Sequence, residues 1–234
     1  MIHSFLQSEM REYRVLLKKI PSLILVALVL TVVSMNMLAN KELFRADWIA
    51  LDCGFLLSWI PFLIMDTVCK VYGGSAAARL SILSIAINLI LFGFFKLVSL
   101  TPGMWSAYYS TGSAEINAAL NATIGGSSWI VLGSALALAV SSLANSVINS
   151  AVAGLLRKEN FNSFLIRSSV STAVSQFIDN LIFATVVSIP LFGWSVRQAL
   201  ICSATAATFE LILEVCFSGF GYNLSKRLKS DAVL

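Results

Sequence analysis

The stretch FLIRSSVSTAVSQFIDNLIFATVVSIP, Phe164 to Pro190, decides the fold. It holds 27 residues and only two charges, Arg167 and Asp179. A helix rises ~1.5 Å per residue, so about 20 such residues cross the ~30 Å hydrocarbon core of a bilayer. Read as a helix, its polar residues fall into order. Arg167, Ser171, Ser175 and Asp179 recur every four residues, with Thr172 and Gln176 beside them. Each step of four drifts by only ~40°, so the row winds slowly along one side. The two charges lie ~18 Å apart along the axis and cannot pair on one straight helix. Each therefore requires a partner on another helix, or a ligand; Asp66 and Arg79, which flank an upstream connection, are candidates.

Outward from this stretch the same apolar pattern repeats. The expected spans are Ile20–Leu38, Leu51–Val68, Ala76–Leu100, Trp129–Leu156, Phe164–Phe192 and Ala199–Leu224. The expected fold class is an all-α integral membrane protein, a bundle of six transmembrane helices. Residues 1–19 form an N-terminal segment, 20–224 the transmembrane transporter domain and 225–234 a tail. Composition agrees: 58% of the 234 residues are hydrophobic and 12% charged, with a mean hydropathy of +0.85. A soluble domain carries roughly twice that charged fraction. The first apolar run, at 19 residues, is too long for the core of a cleaved signal peptide.

Lysine and arginine orient the bundle. With the N-terminus inside, Arg11, Arg14, Lys18, Lys19, Lys70, Arg79, Arg157, Lys158, Lys226, Arg227 and Lys229 fall on the inner side. Lys41, Arg45, Lys96 and Arg197 fall outside, and Arg167 lies within a span. The excess of positive charge within predicts that both termini are cytoplasmic. The long outer connection Thr101–Ser128 carries Trp105, Tyr108 and Tyr109, which suit the membrane interface. Ile116, Leu120 and Ile124 recur every four residues there and predict a short amphipathic helix, either interfacial or a lid over a substrate entrance.

A charge at mid-bilayer costs ~2.5–3.5 kcal/mol on insertion scales, so one kept there usually faces an interior site. Asp66, Asp179, Glu210 and Glu214 are the deep candidates, and Asp52 is interfacial. Ser203, Glu210, Glu214 and Gly221 share one face of the sixth span; Ser134, Ser141, Asn145 and Asn149 form a stripe on the fourth. Such stripes serve either interhelical hydrogen bonding, at ~0.6 kcal/mol per contact, or a binding site. Helix packing alone does not need a carboxylate. Enzyme readings find no support. His3, the single histidine, lies outside every span, no GxGD surrounds Asp66 or Asp179, and no GxxxxGK[ST] occurs. Cys53, Cys69, Cys202 and Cys216 show no CxxC spacing and read as small core residues. No cofactor, metal site or nucleic-acid partner is expected.

Two segments carry a resemblance. Phe62 to Arg79, FLIMDTVCKVYGGSAAAR, is similar to the D-x-x-x-[DE]-x-YG…AR segment of the queuosine precursor transporter (VUT) family. Phe164 to Pro190 resembles that family's R-x-x-x-S-x-x-x-x-Q-x-x-D-[ST]-x-[IL]-F segment. By position the resemblance points to Asp66, Tyr72, Gly73, Arg79, Arg167, Ser171, Gln176, Asp179 and Phe183. Lys70 stands where the family has an acid, Asn180 replaces Ser or Thr, and Glu210 and Glu214 match no family pattern. The resemblance implies a multi-pass protein of a prokaryotic cell membrane that imports 7-deazaguanine bases for tRNA modification. The residues suit that chemistry. A guanine-like edge presents a ring N–H beside an exocyclic amine, and a carboxylate accepts both at once. Asp179, Glu210 or Glu214 supplies the carboxylate, Gln176 or Asn145 reads the carbonyl, and Phe183 or Tyr72 stacks on the base. The polar cavity is expected between spans two and six, with Ser175 on its wall. Import is then facilitated, proton-coupled or driven by a partner. The rivals are a substrate-capture subunit of an energy-coupling-factor transporter and a structural membrane protein. Such subunits dock through AxxxA spacing on the first helix, and Ile20–Leu38 offers only Ala27 before Ala39. The oligomeric state is open, a homo-oligomer included.

Overall fold

A computed structural model describes residues 2–101, 114–125, 128–156 and 160–231. The elements are α1 (Ile2–Lys19), α2 (Ser22–Leu38), β1 (Glu42–Ala46), β2 (Ile49–Asp52), α3 (Phe55–Tyr72), α4 (Gly74–Val98), α5 (Ala114–Gly125), α6 (Ser128–Leu155), α7 (Phe161–Phe183), a π-helical turn (Ala184–Ser188), α8 (Ile189–Phe192) and α9 (Val196–Asp231). Five helical stretches are long and apolar enough to cross a membrane, and the bent α1–α2 pair makes a sixth when taken as one. Each of α3, α4, α6, α7 and α9 packs on the next, and α9 closes back on α3. This ring of five has α2 laid against α3 and α4.

The ring buries polarity and exposes grease, as a lipid solvent requires. Leu23, Ile90, Val147 and Phe220 are two-thirds or more exposed on the outside. Serines, asparagines and carboxylates of α3, α6, α7 and α9 are buried inside. One end is closed by an apolar cluster in which Leu16, Ile20 and Leu28 meet Phe62, Met65, Leu80 and Leu228. That cluster puts the start of α2 and the end of α9 at the same end of the bundle. It also explains why helix α9 continues past Leu224, where the apolar run stops: Leu228 is buried.

Several boundaries differ from the sequence reading, each for a local reason. The first span does not begin from a plain segment, because α1 is a helix turned 107° from α2. Pro21 sits at the break with extended backbone (φ −55°, ψ 131°) and no N–H to continue the ladder. The second helix starts at Phe55 rather than Leu51, since Leu51 and Asp52 pair with Phe44 and Glu42 in an antiparallel hairpin. Asp52 Oδ1 then accepts from the N–H groups of Gly54 (2.7 Å) and Phe55 (3.2 Å) and caps α3. The fifth span is not one α-helix to Phe192. Pro190 cannot donate to the carbonyl of Val186, the backbone widens into the π turn, and Trp129 Nε1 donates to that freed oxygen at 2.8 Å.

The one-residue turn between α3 and α4 shows why the YGG of the first motif is glycine-rich. Gly73 has φ +90°, which L side chains rarely adopt. At Gly74 a Cβ would lie 2.7 Å from Ser150 Oγ, so α4 could not approach α6 as closely. The helix expected over Ile116–Ile124 is α5, packed on α4. Trp105, Tyr108, Tyr109, Arg157 and Lys158 lie outside the described residues, as does most of the segment weighed as a lid.

Candidate functional site

Away from the apolar cluster the ring opens into a cavity of about 260 Å³. Its wall comes from α2, the hairpin, the start of α3, α6, the end of α7, the π turn and α9. α4 contributes nothing and α2 does, which corrects the expected placement between spans two and six. Three acids line it: Asp52, Asp179 and Glu210. Asp179 Oδ1 accepts from Ser141 Oγ at 2.7 Å, and among the described residues nothing donates to Oδ2. Glu210 accepts from Ser58 on one oxygen and from Asn180 Nδ2 (2.9 Å) on the other. Burial in the cavity wall raises the Asp52 carboxyl to about 6, although the two backbone N–H groups it caps pull the other way.

The cavity also holds polar groups left without partners. Asn36 Nδ2 and Ser203 Oγ are buried, line the cavity and bond to nothing among the described residues. Phe55, Phe183, Phe192 and Trp194 supply aromatic surface. Arg45 is the basic residue in the lining, and Glu42 pairs with it at 2.8 Å. Acceptors on one side, an amide donor on another and rings between them suit a small flat molecule with polar edges.

A second cluster is closed. Asp66 is fully buried, and its Oδ1 accepts from Asn145 Nδ2 (2.6 Å) and Asn149 Nδ2 (3.0 Å). Ser171 Oγ stands at 3.5 Å from the same oxygen, and Thr172 Oγ1 at 3.4 Å from Oδ2. Arg167 does not touch Asp66. It donates to Asn149 Oδ1 from Nε (3.2 Å) and Nη2 (2.7 Å), so Asn149 stands between the two charges. Glu214 accepts from Ser168 and feels the charge of Asp66 directly. Ser175 reaches Asn145 Oδ1 at 3.4 Å. Gln176 is buried here with both amide atoms unpartnered.

The twelve residues singled out in the sequence thus divide three ways. Asp179, Phe183 and Glu210 line the cavity. Asp66, Asn145, Arg167, Ser171, Ser175, Gln176 and Glu214 gather in the closed cluster. Tyr72 and Arg79 join neither: the Tyr72 hydroxyl donates to the Lys19 carbonyl at 3.0 Å, and Arg79 grips Glu9 through two bonds of 3.1 Å. That guanidinium holds the Glu9 carboxyl below its ordinary range. Arg79 is therefore the partner of α1 and not of Asp179. Lys70, where the family has an acid, stands over the rings of Phe164 (4.7 Å) and Tyr222 (4.3 Å). Asn36, Ser58 and the hairpin were not among the candidates. A lone amide in the otherwise apolar Ile20–Leu38 was the available signal for Asn36.

A family model described as "Putative vitamin uptake transporter" matches residues 52–224, well over half of the chain. The matched range takes in both clusters and leaves out α1, α2 and β1. No curated protein and no solved structure matches the chain.

Proposed function

The chain belongs to the vitamin uptake transporter family, and from that premise we propose that it imports a small planar base of the 7-deazaguanine type, a queuosine precursor, through the Asp179–Glu210 cavity. The observation that carries this reading is the cavity's unmet polarity. Asp179 Oδ2 is an acceptor without a donor, and Asn36 Nδ2 is a donor without an acceptor. A guanine-like edge supplies two donors and a carbonyl side by side. Asp179 accepts the ring N–H and the exocyclic amine, Asn36 donates to the carbonyl, and Phe183 lies against the ring. Glu210 and Asp52 remain for a cationic substituent such as a 7-aminomethyl group. The charge bias of the connections places both termini in the cytoplasm and the hairpin on the outer face.

The test is uptake of labelled 7-cyano-7-deazaguanine into liposomes holding the purified chain. Guanine should compete and adenine should not, because adenine turns a ring acceptor toward Asp179. Equal competition by the two would overturn the assignment. Uptake that appears only after an energising module is added would move the chain to the capture-subunit reading.

A further inference from the structure

The closed cluster contains polar atoms that neither helix packing nor the proposed base explains. Glu214 Oε2 and both amide atoms of Gln176 are buried and bond to nothing among the described residues. The neighbours of Gln176 on α7 fix where it points. Thr172, four residues earlier, faces Asp66 Oδ2 at 3.4 Å, and Ser168, eight earlier, donates to Glu214. Asn180, four later, donates to Glu210 at 2.9 Å. Side chains at this spacing share one helix face. The Gln176 amide is therefore aimed at the gap beside the carboxyls of α9. A buried amide with no partner is rare and costly, and calls for a ligand or water.

Charge points the same way. Arg167 reaches Asp66 only through Asn149, and Lys70, one turn along α3, stands over the rings of Phe164 and Tyr222. With Asp66 and Glu214 ionised and Arg167 counted in full, one negative charge is left over. The membrane core does not tolerate an unbalanced charge. One monovalent cation restores neutrality. Among the described residues no three His, Cys, Asp or Glu side chains gather, so a divalent or transition metal finds no ordinary ligand set.

We propose that Asp66, Thr172, Gln176 and Glu214 form a site for one sodium ion, distinct from the base cavity. The donors are carboxylate, hydroxyl and amide oxygens, the ligands a hard cation takes. A proton needs only a carboxyl and would leave the Gln176 amide still unbonded. Glu214 lies four residues from Glu210 on α9, so an ion held here sits one helical turn from the cavity wall. Ion and base binding are then coupled, each favouring the other by the same factor. The site rests on the chain's passage through a membrane and not on the identity of the base.

The experiment uses the full chain in detergent without any base, melted in NaCl, KCl or choline chloride at constant ionic strength. A ligand bound only by the folded state raises Tm with concentration. Sodium should raise it saturably beyond potassium and choline. Gln176→Leu removes no side-chain hydrogen bond seen among the described residues, so the variant should fold; its half-saturating sodium should rise ~10-fold or more. Glu214→Gln keeps an acceptor for Ser168 and should behave alike. A salt response identical in all three chlorides overturns the site, as does a wild-type sodium response in both variants. A Tm that follows pH alone hands the carboxyls to a proton and also overturns it. With no base present, failure of the base reading leaves this result unaffected.

Discussion

The two polar clusters share helices but differ in how completely their hydrogen bonds are met. α6 supplies Ser141 to the Asp179 cavity and Asn145 and Asn149 to Asp66. α7 supplies Asn180 to one and Ser168 and Thr172 to the other. Yet Asp66 is enclosed by four neutral donors, whereas Asp179 keeps one oxygen open toward a cavity of about 260 Å³. A carboxylate surrounded by protein is held for structure or for an ion small enough to fit among its donors. One that keeps a free oxygen beside empty volume is held for something larger. The same residue type on adjacent helices can thus be sorted by its partners, which no count of acids could do.

The contrast is broken most directly at Asn149. This side chain donates to Asp66 and accepts from Arg167, so Asn149→Leu strips two charged groups of a buried partner at once. Hydrogen bonds to charged groups contribute ~1.5–3 kcal/mol each, and the variant should lose ~3 kcal/mol or more of stability. Denaturant unfolding in micelles measures it. A loss below ~1 kcal/mol would mean that water already shares the cluster, which would then not be closed.

Asp52 sharpens the other side of the comparison. Its folded carboxyl sits near 6, above the ordinary 3.8, so the fold prefers the protonated form. Stability tied to that proton is fully present below the ordinary value and is lost as pH rises toward 6. Asp52→Asn keeps the oxygen that caps Gly54 and Phe55 and removes the loss. The variant should match wild type near pH 4 and exceed it by on the order of 2 kcal/mol at pH 7, allowing for partial exposure. Melting curves across that range decide it; a pH-independent difference would show that the hairpin does not bury the carboxyl.

Much of this arrangement is legible in the sequence, because a bilayer leaves little choice. Apolar runs must be helices, and charges inside them must face one another or a ligand. Asp179 and Glu210 could be singled out on that ground. Their sorting from Asp66 and Glu214 could not, since helical spacing tells which residues share a face and not what lies opposite. The hairpin escaped because Leu51 and Asp52 continue an apolar run, and nothing local says that the strand partner Glu42 lies ten residues earlier. Arg79 was misplaced for a similar reason: Glu9 is 70 residues away, on a segment that reads as a plain tail until the bend at Pro21 folds it back. Asn36 and Ser203 matter only as orphans, and that status exists only in the folded chain.

The central claim is that Asp179 receives the substrate while Asp66 does not. The most direct measurement is the Kd for 7-cyano-7-deazaguanine together with Tm, both on purified Asp179→Asn. The substitution keeps an acceptor for Ser141 and turns the open oxygen into a donor facing a donor. A buried mismatch of that kind costs ~1–3 kcal/mol, so Kd should rise ~10-fold or more while Tm stays near wild type. Wild-type affinity with a lowered Tm would contradict the account and make Asp179 a structural group.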